Sequence, residues 1–321
     1  VRLHGLHAGD GELPVRRGSL LLLALLAQGC SRSPEEHLVA ARDAVFEHRP
    51  QTALREYRLA LDAVEKDNSP GGLALRAAAL RGAADTYYLE LRDVAKAVAV
   101  YRELVAQAPE APETQEAHVL LADILHQHYH DLRGAIAELT AALARKPARA
   151  PDLAYDVCKL YFELGDYQQC TIESEKLVGT FPASARVPDA LFLAGQAYAM
   201  QEGMREQAER AFQAVAERYP ASELAPHALF ELGKLRAEGG DAPGAINAWV
   251  AALPRHPDPK LVQAAIARTR ERIAQTTPAA LGQAAAFAKG ETVPRRRGNQ
   301  ARTSVEAAGG TAAEAAKEHG D

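Results

Sequence analysis

The sequence predicts an all-α chain, a right-handed α-solenoid of about six helix hairpins closed by one further helix. Three observations carry that expectation. Alanine and leucine dominate the apolar residues while aromatics are only 6%, and such usage favours helices because β-branched and aromatic side chains suit sheets instead. Prolines recur as a ruler, at Pro70, Pro109, Pro147, Pro182, Pro220 and Pro257, at intervals of 39, 38, 35, 38 and 37 residues. Inside the intervals, a small residue is followed about one turn later by a large one, again and again.

The bulk numbers exclude several classes. With 321 residues, 47% hydrophobic and 25% charged, the chain can bury a core or build an extended array. A net charge of −5 argues against a nucleic-acid binder, which carries a basic face. Three cysteines, Cys30, Cys158 and Cys170, are too few for a disulfide scaffold or a four-ligand zinc site.

The front end reads as an address. Arg16 and Arg17 precede an apolar run from Leu20 to Ala27, then Gln28, Gly29 and Cys30, so residues 1–29 are expected to be a secretory signal. The run is too short to span a bilayer, which takes roughly 20 residues. Residues 1–14 contain Asp10, Glu12 and Pro14, unlike a basic leader; Val15 is a candidate GTG start, in which case they are not translated. Residues 30–32 would then form the mature N-terminus. Ser33-Pro34-Glu35-Glu36 is a capping box that opens the first helix.

The repeats occupy 33–275. Each second helix offers a small residue four positions before a large one: Ala53/Tyr57, Ala97/Tyr101, Ala135/Leu139, Ala208/Phe212 and Ala245/Trp249, with Cys170/Ser174 in the remaining unit. In the last five units a proline follows 12 residues after that small position. First helices show Ala84-x-x-Tyr87, Ala122-x-x-Leu125, Cys158-x-x-Tyr161 and Gly195-x-x-Tyr198, with Gly233 followed by Arg236. Small residues let paired helices nest, large ones fill the space beside them, and proline, lacking an N–H, stops the second helix. A last helix, Lys260 to Gln275, is expected to cap the stack. Residues 276–321 carry no apolar stripe and a basic knot at Arg295, Arg296 and Arg297; they read as a disordered tail.

This pattern resembles the tetratricopeptide repeat, whose usual period of about 34 residues is lengthened here in the turns. Cys30 after Gly29 resembles the lipobox of bacterial lipoproteins, with Ala27 where that family favours leucine. That resemblance implies a lipid on Cys30 and a membrane anchor; Ser31 in place of aspartate leans toward the outer membrane. Closing motifs Phe181-Pro182-Ala183-Ser184 and Tyr219-Pro220-Ala221-Ser222 are similar to those of envelope relatives. In layout the chain is similar to the outer-membrane assembly lipoproteins typified by BamD and to the repeat domain of the Tol–Pal coordinator. The resemblance implies protein or peptide partners in the envelope. The open alternatives are an accessory lipoprotein of a secretion or polysaccharide-export complex, or a structural spacer.

Stacked hairpins leave a concave groove lined by first helices, where peptides dock. Positions flanking the small residues nominate Asp85, Tyr88, Asp123, His126, Tyr155, Lys159, Gln196 and Lys234 for partner binding, the tyrosines being equally suited to packing within the stack. His126, His128, His130 and Asp131 have a spacing that can chelate, but no further ligand pair lies near and a helix C-terminus favours histidine in its own right, so no metal is expected. Cys158 and Cys170 fill the two small positions of one hairpin. Two readings stay open: a disulfide between the helices, contributing about 3 kcal/mol, or two buried thiols. No phosphate-binding glycine loop, Gly-x-Ser-x-Gly elbow or paired-cysteine motif occurs. No catalytic residue, cofactor or small-molecule substrate is expected.

Overall fold

The structure, a computed structural model, describes residues 32–276. The signal segment, Cys30 and residues 277–321 of the tail lie outside the described residues. Among those described there are thirteen α-helices and no strand. The chain divides into two units at Gln263/Ala264. The first holds six hairpins: α1 (Pro34–Phe46) with α2 (Pro50–Ala63), α3 (Pro70–Asp85) with α4 (Val94–Gln107), and α5 (Pro112–Tyr129) with α6 (Leu132–Ala144). They continue with α7 (Ala150–Glu163) and α8 (Tyr167–Thr180), α9 (Val187–Ala199) and α10 (Arg205–Arg218), and α11 (Leu224–Glu238) and α12 (Ala242–Ala252). Helix α13 (Pro259–Thr276) crosses the division. It runs through Thr276, the residue at which the sequence reading begins the tail.

From α1 to α12 each helix packs on the next, and the cores are shared between hairpins. One cluster joins Ala77, Leu80 and Ala84 of α3 to Tyr101 and Leu104 of α4 and to Leu121 and Ile124 of α5. The next joins α5, α6 and α7 through Leu125, Leu139 and Leu153. A hairpin alone would leave one side of such a cluster wet, so stability is a nearest-neighbour property. Burying a side chain such as Leu121 contributes about 1.5–3 kcal/mol.

The small residues are where the sequence put them. Ala53, Ala97, Ala135, Cys170, Ala208 and Ala245 are all fully buried. The tightest approaches need glycine: a Cβ on Gly195 would stand 2.7 Å from the Phe212 ring, and one on Gly233 would enter the Trp249 indole. Trp249 in turn donates its Nε1–H to the Phe230 carbonyl at 3.0 Å, which fixes the ring against Gly233.

Caps explain the turns. Ser33 accepts from the Glu36 N–H while the Glu36 carboxylate accepts from the Ser33 N–H, the reciprocal box expected. Between the helices of every hairpin the chain passes through one left-handed residue: His48, Arg92, His130, Gly165, Gly203 and Gly240, with φ between 53° and 87°. In four hairpins an aspartate follows and caps the second helix, Asp93, Asp131, Asp166 and Asp241 accepting from the N–H three residues on. The proline ruler is corrected at one mark. Pro70 is the first residue of α3, capped by Ser69, and closes nothing. Pro109, Pro147, Pro182 and Pro220 do follow the ends of their second helices.

Arginines bind neighbouring repeats together. Arg145 donates to the carbonyls of Pro109 and Ala111, and Arg255, at the matching place, to those of Pro220, Ala221 and Ser222.

Gly233→Ala is expected to lower stability by about 1–3 kcal/mol through overpacking against Trp249. Gly179→Ala, on an exposed helical site with nothing within 4 Å, is expected to raise it by about 0.5–1 kcal/mol. Urea midpoints of the two variants check both signs.

Candidate functional site

First helices of neighbouring hairpins touch directly at α1/α3, α3/α5, α7/α9 and α9/α11. The pair α5/α7 is held wider. The space left between them is a cavity of about 320 Å³ whose lining includes Asp123, His126, Gln127, Asp156, Lys159 and Glu163. Three of the eight residues nominated from sequence, Asp123, His126 and Lys159, therefore meet in one place. Asp156 and Glu163 were missed. They lie three before and four after Lys159, on the same helical face, and that spacing was the signal available.

Charge in this cavity is paired unevenly. His126 Nε2 lies 3.0 Å from Glu163, joining α5 to α7, and Lys159 lies 2.8 Å from Asp156. Asp123 has no ion pair or hydrogen bond among the described residues. Loss of solvation, and then the like charge of Asp156, raise its pKa above the usual carboxylate range.

Tyr155 stands half-buried on α7, with the Lys159 ammonium 5.3 Å and the Arg186 guanidinium 5.6 Å from its ring centre. Arg186 also binds Asp152 at 2.7 Å. Tyr155 packs within the stack as well, against the Cys158 and Leu177 clusters, so it serves both roles considered for it. The other nominees lie apart. The Asp85 carboxylate is taken up internally by Arg81 and the Tyr101 hydroxyl. Tyr88, on the π-helical turn Thr86–Glu90 that extends α3, meets the His128 ring edge to face at 6.0 Å. Lys234 is paired with Glu231 at 2.6 Å, and Gln196 is partly buried on α9.

The histidine run has three separate structural jobs. His126 pairs with Glu163, His128 meets Tyr88, and His130 is the left-handed residue that ends α5. Among the described residues, no three His, Cys, Asp or Glu side chains gather as a metal site. No helix among them is long and apolar enough to cross a membrane.

Cys158 and Cys170 are fully buried free thiols in one cluster with Leu193 and Ala197. Burial pushes their pKa up, to about 11 for Cys158 and about 12 for Cys170. The Ser174 hydroxyl lies beside both sulfurs and has no oxygen or nitrogen partner.

With this geometry in place, comparison with known proteins is direct. The tetratricopeptide-repeat family profile matches residues 78–111 and 189–222, which fall on the second and fifth hairpins. The chain thus contains tetratricopeptide repeats, and the fold they build is the α-solenoid typical of non-catalytic interaction scaffolds. The C-terminal part of a repeat-containing protein from Cytophaga hutchinsonii is similar over 78% of this chain and 93% of its own, at 13% identity and a TM-score of 0.54. A structure of Naa15/Naa10 bound to HypK-THB is similar over 81% of this chain and 37% of its own, at 15% identity and a TM-score of 0.53. A third likeness is to YrrB, described as a repeat protein with an unusual peptide-binding site: 18% identity, 65% of this chain, 96% of that one, TM-score 0.46. No curated protein is significantly similar in sequence.

Two outcomes are expected. Because the folded chain holds the Asp123 proton more tightly than the unfolded chain, ionising Asp123 costs stability. That penalty is absent below the ordinary carboxylate range and complete above the raised value. Asp123→Asn should therefore raise the denaturation midpoint at neutral pH and leave it unchanged in acid. Iodoacetamide at pH 8 should leave both buried thiols of the native protein unmodified and label both in guanidinium without reductant; a disulfide would block labelling in either state.

Proposed function

We propose that this chain is a lipid-anchored scaffold of the bacterial envelope, held to the outer membrane through Cys30 and facing the periplasm. Its first-helix face docks segments of protein partners, in the service of outer-membrane assembly. The observation that carries the docking reading is the α5/α7 cavity, where the exposed Asp123 carboxylate has no ion pair or hydrogen bond among the described residues, beside groups already paired with each other. A partner side chain that donates to Asp123 relieves the like charge of Asp156. The support for the anchor is the run from Arg16 to Cys30, read as signal and lipobox. One acyl chain binds a membrane only marginally, whereas a multiply acylated terminus holds firmly.

Two experiments test the two parts. Labelled palmitate should enter the wild-type chain and not Cys30→Ser, which should leave the membrane fraction; equal partition of both would end the anchor reading. A photocrosslinking residue at Gln127, on the cavity wall, should capture barrel-assembly components in cells, and Asp123→Lys should abolish the adduct. Capture of export-machine proteins, or an adduct indifferent to Asp123→Lys, would overturn this assignment.

A further inference from the structure

A second recess lies on the other face of α7. Ala150, Ala154 and Val157 follow one another at helical spacing on the side opposite Asp156, Lys159 and Glu163. With Leu143 of α6, Leu177 of α8 and Phe181 just after it, they wall a largely apolar trough of about 580 Å³ between the second helices of the third and fourth hairpins. The trough has an origin in the sequence register. Four residues before the small position of the first helices stand His37, Leu80, His118, Ala154, Leu191 and Leu229. Only α7 places an alanine there. In the hairpin holding Leu80, the matching recess shrinks to about 310 Å³ and is edged by Arg58, Asp62 and Glu103.

The mouth of the trough carries Lys146 on one rim and the Lys176–Glu173 pair on the other. The loop beside it reads Arg145-Lys146-Pro147-Ala148-Arg149, of which Lys146 and Pro147 line the trough. Arg145 is committed to the Pro109 and Ala111 carbonyls, and Lys176 on the far rim is paired with Glu173. Lys146 is exposed, held in the left-handed region at φ 53°, and has no ion pair or hydrogen bond among the described residues. The wall from Glu173 on α8 to Phe181 is about two helical turns long.

We infer that this trough receives an amphipathic helix of a protein partner, one whose apolar row is flanked by acidic residues. Its apolar side chains fill the space above Ala154, and its carboxylates face Lys146. A helix fits better than a lone acyl chain because the rim residues Lys146, Lys176 and Thr180 are exposed. A helix brings its own solvated outer face, whereas an acyl chain needs enclosure on nearly all sides. The surface is separate from the α5/α7 cavity and does not rest on it.

The test uses the purified full chain and a fluorescein-labelled synthetic helix of about 15 residues, with leucines at i, i+3, i+4 and i+7 and glutamates beside them. A companion probe carries lysines in place of the glutamates. Anisotropy should show saturable binding of the acidic probe and none of the basic one. Ala154→Leu installs the residue that α3, α9 and α11 carry at this position, so the fold should survive, as circular dichroism would verify. It should weaken binding at least about tenfold. Lys146→Glu, on the surface, should weaken binding severalfold and remove its salt dependence. Asp123→Lys should change nothing, which separates this site from the first-helix cavity. Equal affinity for both probes, or binding indifferent to Ala154→Leu and Lys146→Glu, would overturn the inference. So would saturable binding of dodecanoate, sensitive to Ala154→Leu, in the absence of peptide binding; that result assigns the trough to a lipid chain.

Discussion

The constraint on which the rest depends is the closeness of the two helices in each hairpin. Helices can nest only where one of them offers almost no side chain, and the large residue beside that point then has a single place to go. Gly195 under Phe212 and Gly233 under Trp249 are the strictest cases, since not even a methyl group fits. Once these crossings are set, the angle and register of each hairpin follow, because a shift of one residue turns the small position away from its partner. The turns then need a left-handed residue and a cap at fixed places, and the arginines at the ends of α6 and α12 find the carbonyls of the preceding loop. Since each cluster draws on three successive helices, an error at one crossing is felt in the next hairpin and little beyond it.

The fourth hairpin relaxes this rule. It carries Cys158 and Cys170 where the others have alanine or glycine, and Ser174 where five have a leucine or an aromatic ring. Cys158, Cys170 and Ser174 are all fully buried there. A further truncation, Ala154, opens the face toward α6. On the other face, α7 stands off from α5 more than first helices do elsewhere. Both recesses of the molecule that gather chemistry therefore border the same hairpin, on opposite sides of one helix. That is the expected result of loosening a stack at one unit: space appears wherever side chains are smaller than the register assumes, and it appears on both sides.

Much of this was legible in the sequence, because the crossing rule is written in residue size. Alanine and glycine at constant intervals, each trailed by a large residue, place the hairpins, and Ser33-Pro34-Glu35-Glu36 places the first cap. Pro70 misled because proline is at home both just after a helix and at its first position; only the Ser69 cap distinguishes the two. His130 holds the left-handed backbone that the turn needs, which histidine tolerates better than most residues. Asp123, His126 and Lys159 could be placed on one face, but that they meet across two hairpins depends on the α5/α7 separation, a tertiary quantity. The trough was harder still to see. Ala154 is one alanine among many until the six hairpins are set in register, and its meaning lies in the histidine or leucine that the other five hold.

The nominated face has a further regularity. The residue after each small position runs Arg42, Asp85, Asp123, Lys159, Gln196, Lys234, acidic only in the second and third hairpins. Most of these charges are already answered from within: Asp85 by Arg81 and Tyr101, Lys159 by Asp156, Lys234 by Glu231. Ion pairs so exposed contribute at most about 1 kcal/mol each, so a partner can replace one at little cost and gains little by doing so. Net field along the face therefore selects weakly. Discrimination has to come from the group that is not answered, and among the nominated residues that group is Asp123, an exposed carboxylate beside the like charge of Asp156. The face as a whole sets where a segment can lie; a single carboxylate without a partner in the cavity sets which residue of that segment must lie over it.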